Sequence, residues 1–156
     1  MKKIITATLA LALSTSLFGV ERPSSQEVSK VMNYYKNGKG QGAILVEMKI
    51  AKDIIRKGKA KNEPKAIVVN KTLKKGEKAI LWMNFLVPAN DKAAIYMEFK
   101  NRNKVRKVDE LKVSGAIRYR TWKSLPTSRS GEWSVNLSQE LGDEDIPLGT
   151  IKYTVK

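Results

Sequence analysis

The chain has 156 residues, with 30 Lys plus Arg against 15 Asp plus Glu, a formal net charge of +15. It contains no histidine and no cysteine, which excludes Ser-His-Asp and Cys-His catalysis, zinc or copper sites of imidazole and thiolate, disulfide staples and a lipidated N-terminal cysteine. Hydrophobic residues at 42% and charged ones at 29% suit a globular, water-soluble domain.

The first nineteen residues read as an export signal. Lys2 and Lys3 form the charged start, residues 4–13 an apolar stretch softened by Thr6 and Thr8, and residues 14–19 a small-residue region suited to cleavage after Ser16 or Gly19. The apolar run falls short of the roughly 20 residues a spanning helix needs, so no transmembrane segment is expected after cleavage. The expected location is periplasmic or secreted. Without Lys2 and Lys3, 28 cationic side chains face 15 acidic ones, a net of +13. A field of that sign favours anionic partners at low salt.

A helix follows the signal. Ser24 and Glu27 have the spacing of a capping box just after Pro23, and Val28, Val31, Met32 and Tyr35 form one apolar stripe. Asn37 and Gly38 end it, and Gly38, Gly40 and Gly42 make a link. Those glycines follow a helix and precede a strand, the wrong polarity for a phosphate-cradling loop. The expected organisation is therefore signal over residues 1–19, helix and linker over 20–42, and a β domain over 43–156.

From Ala43 the period changes to two. Ile44, Val46, Met48 and Ile50 alternate with Leu45, Glu47 and Lys49, a first strand that residues 53–56 either continue or close with a turn of helix. Residues 57–65 are basic and polar, with Gly58 and Pro64, and read as a loop. Residues 66–73 and 78–87 read as two strands joined by a turn over 74–77. Residues 79–87 are apolar on both faces apart from Asn84, the pattern of a central strand. Pro88 is expected to end it and residues 89–92 to turn the chain.

Further strands are expected over 94–100 and, less regularly, 105–113. Residues 115–137 contain two more, joined by a connection over 124–131 that holds Pro126 and Gly131. In the second of these, Trp133, Val135 and Leu137 share one face. In the first, Arg118, Arg120 and Trp122 share a face opposite Ile117, Tyr119 and Thr121. Residues 142–147 read as an acidic loop and 150–156 as a closing strand. Seven or eight strands behind one helix indicate a mainly β chain folded as a sandwich or small barrel.

Tyr119-Arg120-Thr121-Trp122-Lys123, Ser130-Gly131-Glu132-Trp133-Ser134-Val135 and the terminal Gly149-Thr150-Ile151-Lys152-Tyr153-Thr154-Val155 resemble the C-terminal half of a bacterial exported domain-of-unknown-function family. The resemblance covers residues 119–155. It implies an immunoglobulin-like β-sandwich that accompanies other modules of the cell envelope, and it brings no reaction and no catalytic residue.

The remaining chemistry is carboxylate, lysine or tyrosine chemistry. Asp109 and Glu110 are adjacent on a strand and point to opposite faces, so they do not make a catalytic pair. Asp143, Glu144 and Asp145 lack the spacing of a calcium loop. Met32, Met48, Met83 and Met97 sit at core-like positions. No enzymatic activity, metal or cofactor is expected; the remaining alternative is a carboxylate-based hydrolase, which would lose activity when Asp109 or Glu144 is made neutral.

The binding candidates are basic. Lys100, Arg102, Lys104 and Arg106 recur at every second residue, as do Arg118, Arg120 and Trp122. Guanidinium forks beside an indole suit carboxylates and phosphates. The competing reading makes residues 101–103 a hairpin turn and the cations guards of a sheet edge. The expected partner is an anionic envelope polymer or lipid, or an acidic protein. The alternative is a structural subunit that docks through its helix or a sheet edge. Nucleic acid is not expected for an exported chain.

Overall fold

The computed structural model describes residues 24–37 and 42–156. The expected signal over residues 1–19 and the linker glycines Gly38 and Gly40 lie outside the described residues. Among the described residues one helix, α1 (Ser25–Asn37), precedes seven strands: β1 (Ile44–Ile54), β2 (Pro64–Ile67), β3 (Thr72–Leu73), β4 (Ile80–Asn101), β5 (Lys104–Ser124), β6 (Gly131–Leu141) and β7 (Glu144–Val155).

The expected capping box forms. The Ser24 amide donates to Glu27 Oε2 at 2.7 Å, and the Glu27 amide donates to Ser24 Oγ at 3.2 Å. Such a cap contributes about 0.5–2 kcal/mol.

The long strand β4 organises the sheet. Along one edge it pairs with β5 in two stretches, from Ile80 to Val87 and from Lys92 to Asn101; along the other it pairs first with β1, from Ile80 to Leu86, and then with β6, from Ile95 to Asn101. The sheet bends where β1 leaves and β6 enters. β2 extends the first half beyond β1, and β7 and then β3 extend the second half beyond β6, giving the order β2-β1-β4-β6-β7-β3 with β5 on β4. β2 and β3, at the two ends of that order, are not paired with each other. The sheet is therefore curled but not closed into a barrel.

The same parity of β4 faces inward on both sides of the bend. Leu81, Met83, Phe85 and Val87 in the first half and Ile95, Met97 and Phe99 in the second are all buried in one cluster. They meet Leu45 and Ile50 of β1, Trp133, Val135 and Leu137 of β6, and Ile151, Tyr153 and Val155 of β7. Each fully buried side chain of this size contributes about 1.5–3 kcal/mol relative to exposure. The expectation that residues 79–87 are buried on both faces holds, since Trp82, Asn84 and Leu86 on the other face are also buried.

Two segments that read as strand ends are not. Pro88 does not end β4. No β1, β5 or β6 partner pairs with it, because the ladder to β1 stops at Leu86, that to β6 starts at Ile95, and the register to β5 jumps from Val87 to Lys92. Its missing N–H therefore costs no sheet hydrogen bond. The strands expected over 105–113 and from Gly115 are likewise one, β5, bent opposite the same irregularity.

Two connections also differ from expectation. Residues 66–73 do not form a hairpin with the next strand. Positive φ at Ala66 (54°) and Lys71 (51°) turns the chain, so that Thr72 and Leu73 pair in parallel with Thr154 and Val155 of β7. The acidic segment 142–147 is mostly strand, because Leu141 pairs with Glu144 across a turn of Gly142 (φ 62°) and Asp143.

Candidate functional site

Arg118, Arg120 and Trp122 share the outward face of β5, as their alternation requires. Arg120 lies opposite Asn84 and Trp122 opposite Trp82 on β4. That face is not open, because the connection over residues 55–63 folds across it. Trp82 Nε1 donates to the Asn62 carbonyl at 2.7 Å, and Arg120 Nη1 donates to the Lys61 carbonyl at 3.4 Å. Glu63 enters between the arginines, its Oε1 lying 2.9 Å from Arg120 Nη2 and 3.6 Å from Arg118 Nη2.

The shorter contact is ionic without being a straight hydrogen bond. Glu63 Oε1 and Arg120 Nε are both buried with no hydrogen-bond partner among the described residues. Two guanidiniums on one strand face, partly out of water, need a counter-charge, and Glu63 supplies it. Arg120 is thus a fastener of the 55–63 connection, and Arg118 is held more loosely. Glu63 gave no signal in the sequence, lying in a basic stretch without periodicity.

The second basic set is split. Arg102 (φ 50°) and Asn103 (φ 64°) form the turn between β4 and β5, the two-residue hairpin geometry with both central residues left-handed. The every-second-residue spacing of Lys100, Arg102, Lys104 and Arg106 therefore does not trace one strand face. Lys104 pairs opposite Asn101, and Arg106 falls in the register shift between Val105, opposite Lys100, and Lys107, opposite Phe99. Lys104 and Arg106 are exposed on the sheet edge.

Lys100 and Arg102 instead meet a residue the sequence did not single out. In the second half of the sheet Lys100 pairs with Ser134 of β6, and Ser134 with Lys152 of β7. Lys100, Arg102 and Lys152 line one cleft of about 310 Å³ together with Asn103, Glu132 and Ser134. Lys152 is far away in sequence. Its only mark there was a polar position between the inward Ile151 and Tyr153.

The rows behind this cleft are polar. Glu98, Asn136 and Thr150 form the next row, in which Asn136 Nδ2 donates to Glu98 Oε1 at 3.2 Å and Thr150 Oγ1 donates to Asn136 Oδ1 at 3.0 Å. Lys100 Nζ closes on the same Glu98 Oε1 at 2.6 Å. That hydrogen bond first, and the one from Asn136 after it, holds the Glu98 carboxyl below its ordinary range. The third row holds Tyr96, Ser138 and Pro147, and the charge of Glu140, 3.5 Å from the Tyr96 hydroxyl, pushes that phenol up.

Val105 and Val108 stand opposite Lys100 and Glu98 with 49% and 56% of their surface exposed. A groove of about 630 Å³ runs along the second and third rows to Glu140 and Asp145. The face thus joins a cationic end to a surface of hydroxyls, amides and carboxylates. Among the described residues no group of three or more Asp or Glu is placed to hold a metal ion. No helix among them is long and apolar enough to cross a membrane.

No protein-family model matches the chain, and no curated protein matches it. Among solved structures it is similar to the crystal structure of the C-terminal domain of wzt, at 15% identity and a TM-score of 0.47, over 74% of this chain and 74% of that one. At that distance no residue role passes from one chain to the other.

Proposed function

We propose that this is an exported, non-enzymatic module of immunoglobulin-like sandwich type that binds an anionic polymer of the cell envelope. Contact is made through the outer face of β4, β6 and β7. The observation that carries the reading is the convergence of Lys100, Arg102 and Lys152 around Ser134, at the head of rows of hydroxyl and amide side chains. A polymer bearing carboxylate or phosphate would set its charge among the three cations and its hydroxyls along Asn136, Thr150 and Ser138. The net charge of +13 that remains without Lys2 and Lys3 adds a long-range attraction for the same anions.

The geometry favours this face over the Arg118 and Arg120 face, where Glu63 stands against both guanidiniums, because here Glu98 engages Lys100 and, among the described residues, no ion pair engages Arg102 or Lys152. It also favours it over strand pairing at the outer edge of β5, which carries Lys104, Lys107 and Lys112, charges that oppose edge-to-edge association.

Retention of the purified protein on immobilised polygalacturonate and on neutral dextran, across a salt series, tests the reading. The triple variant Lys100→Gln, Arg102→Gln, Lys152→Gln should lose retention on the uronate and flatten its salt dependence. Arg118→Gln should change it little. Equal retention of wild type and triple variant at every salt concentration overturns the proposal.

A further inference from the structure

The other half of the fold, built on β1 and the first stretch of β4, joins two features on its outer face. The first is apolar. α1 packs there, held by Lys30, whose Nζ donates to the carbonyls of Leu45 at 3.2 Å and Val46 at 3.4 Å. The helix turns Glu27 toward the sheet, where it is buried and engaged by the Ser24 amide, so the apolar stripe is only partly covered. Val28 and Met32 stay 46% and 50% exposed. Ile117 joins them, 68% exposed. Between the pairs Phe85 with Tyr119 and Val87 with Ala116 the register slips, so Leu86 faces both Ile117 and Arg118. That bulge brings both side chains to the α1 side of the sheet, where they line one hollow with Val28 and Met32.

The second feature is the connection over residues 55–63, which folds across the same face beside Arg118. It carries Arg56, Lys57, Lys59 and Lys61, all exposed. The acids at its ends are engaged, Asp53 by Arg56 at 3.3 Å and Glu63 by Arg118 and Arg120. Among the described residues no ion pair engages Lys57, Lys59 or Lys61. The connection is also fixed in shape. The Lys61 amide donates to the Gly58 carbonyl and the Glu63 amide to the Ala60 carbonyl, both at 3.1 Å, while Trp82 and Arg120 hold the carbonyls of Asn62 and Lys61. Its cations are therefore presented with little left to order on contact.

We infer that this face docks the protein on an anionic lipid bilayer. Val28, Met32 and Ile117 enter the boundary between headgroups and acyl chains, and Arg56, Lys57, Lys59 and Lys61 meet the lipid phosphates. A soluble polyanion would engage the cations and leave the three apolar side chains in water. A bilayer is the anionic surface that has an apolar layer directly beneath its charge. Each lysine held near such a surface raises partition about fivefold. The face shares no residue with the polymer-binding one, and the two readings fail independently.

Flotation of the purified protein with vesicles of phosphatidylcholine alone, and of phosphatidylcholine with about one-third phosphatidylglycerol, at low and high salt, tests the assignment. Wild type should float with the mixed vesicles at low salt and stay behind with phosphatidylcholine. The variant Lys57→Gln, Lys59→Gln, Lys61→Gln should lose roughly a hundredfold in partition. Met32→Ser with Ile117→Ser should lose about tenfold, through the apolar area no longer buried. Lys100→Gln, Arg102→Gln, Lys152→Gln should lose far less than the first variant. No flotation of wild type with the mixed vesicles, or undiminished flotation of the lysine variant, would overturn the proposal. So would undiminished flotation of the serine variant, the mark of adsorption by charge alone, or an equal loss in the polymer-face variant. The side chains replaced in the lysine and serine variants are all exposed, so each reading is made on a folded protein.

Discussion

Arg120 was a candidate contact residue in the sequence and is a fastener in the structure, and the difference is measurable through Glu63. Their side chains retain 22% and 20% of their exposure, and the closest atoms are 2.9 Å apart. Exposed ion pairs contribute about 0.2–1 kcal/mol and hydrogen bonds to charged groups about 1.5–3 kcal/mol. A partly buried pair without straight alignment falls between, so a coupling of about 1 kcal/mol is expected. Glu63→Gln should cost more than that coupling, about 1–2 kcal/mol, because it also leaves Arg118 and Arg120 facing each other without a counter-charge. The melting temperature should then fall by roughly 3–6 °C for a domain of this size. Urea unfolding of wild type, Glu63→Gln, Arg120→Gln and the double variant closes the cycle. Additivity within about 0.5 kcal/mol, the behaviour of independent sites, would refute the fastener role and return Arg120 to the list of free cations.

Gln139 is 1% exposed and clamps the start of β1, its Nε2 donating to the Ala43 carbonyl and its Oε1 accepting from the Ala43 amide, both at 2.9 Å. Gln139→Leu removes both bonds and should cost about 2–4 kcal/mol; a urea-derived loss under about 1 kcal/mol would contradict the clamp. Tyr153 stacks on Trp133 at 6.1 Å and donates its hydroxyl to the Pro126 carbonyl at 2.8 Å. Burial raises its phenol above the ordinary 10.0, so its contribution is complete below pH 10 and declines above it, where the unfolded chain ionises first. Tyr153→Phe should cost about 1 kcal/mol at neutral pH and lose less stability than wild type between pH 10 and 11.5, and parallel melting curves over that range would count against it. Glu98 titrates the opposite way. Lys100 and Asn136 hold it below its ordinary 4.5, so its stabilisation is present above that pH and lost as pH falls through the folded value. The gap in melting temperature between wild type and Glu98→Gln should close on acidification from pH 6 to pH 3, and a constant gap would exclude the contribution.

Much of the local structure was legible. The capping box at Ser24 and Glu27, the inward face of Trp133, Val135 and Leu137, and the doubly buried stretch ending at Val87 all follow from spacing, because each depends on neighbours a few residues away. Pro88 misled because a strand breaker matters only if its backbone is needed in a ladder, and that depends on which strands occupy the adjoining edges. The short segment at Thr72 was assigned to a hairpin because proximity in sequence favours it, whereas its partner is the last strand of the chain.

The same division holds for the sites. Composition by itself removed histidine and cysteine chemistry, and alternation alone put Arg118, Arg120 and Trp122 on one face. Only the tertiary structure could set Glu63 against both arginines, break the Lys100 to Arg106 series at a left-handed turn, and bring Lys152 across β6 to Lys100. Side-chain direction along a strand is set by the backbone's twofold period and is written locally. Which charges become neighbours is set by strand register between distant segments, and that register is decided by how the whole apolar face packs.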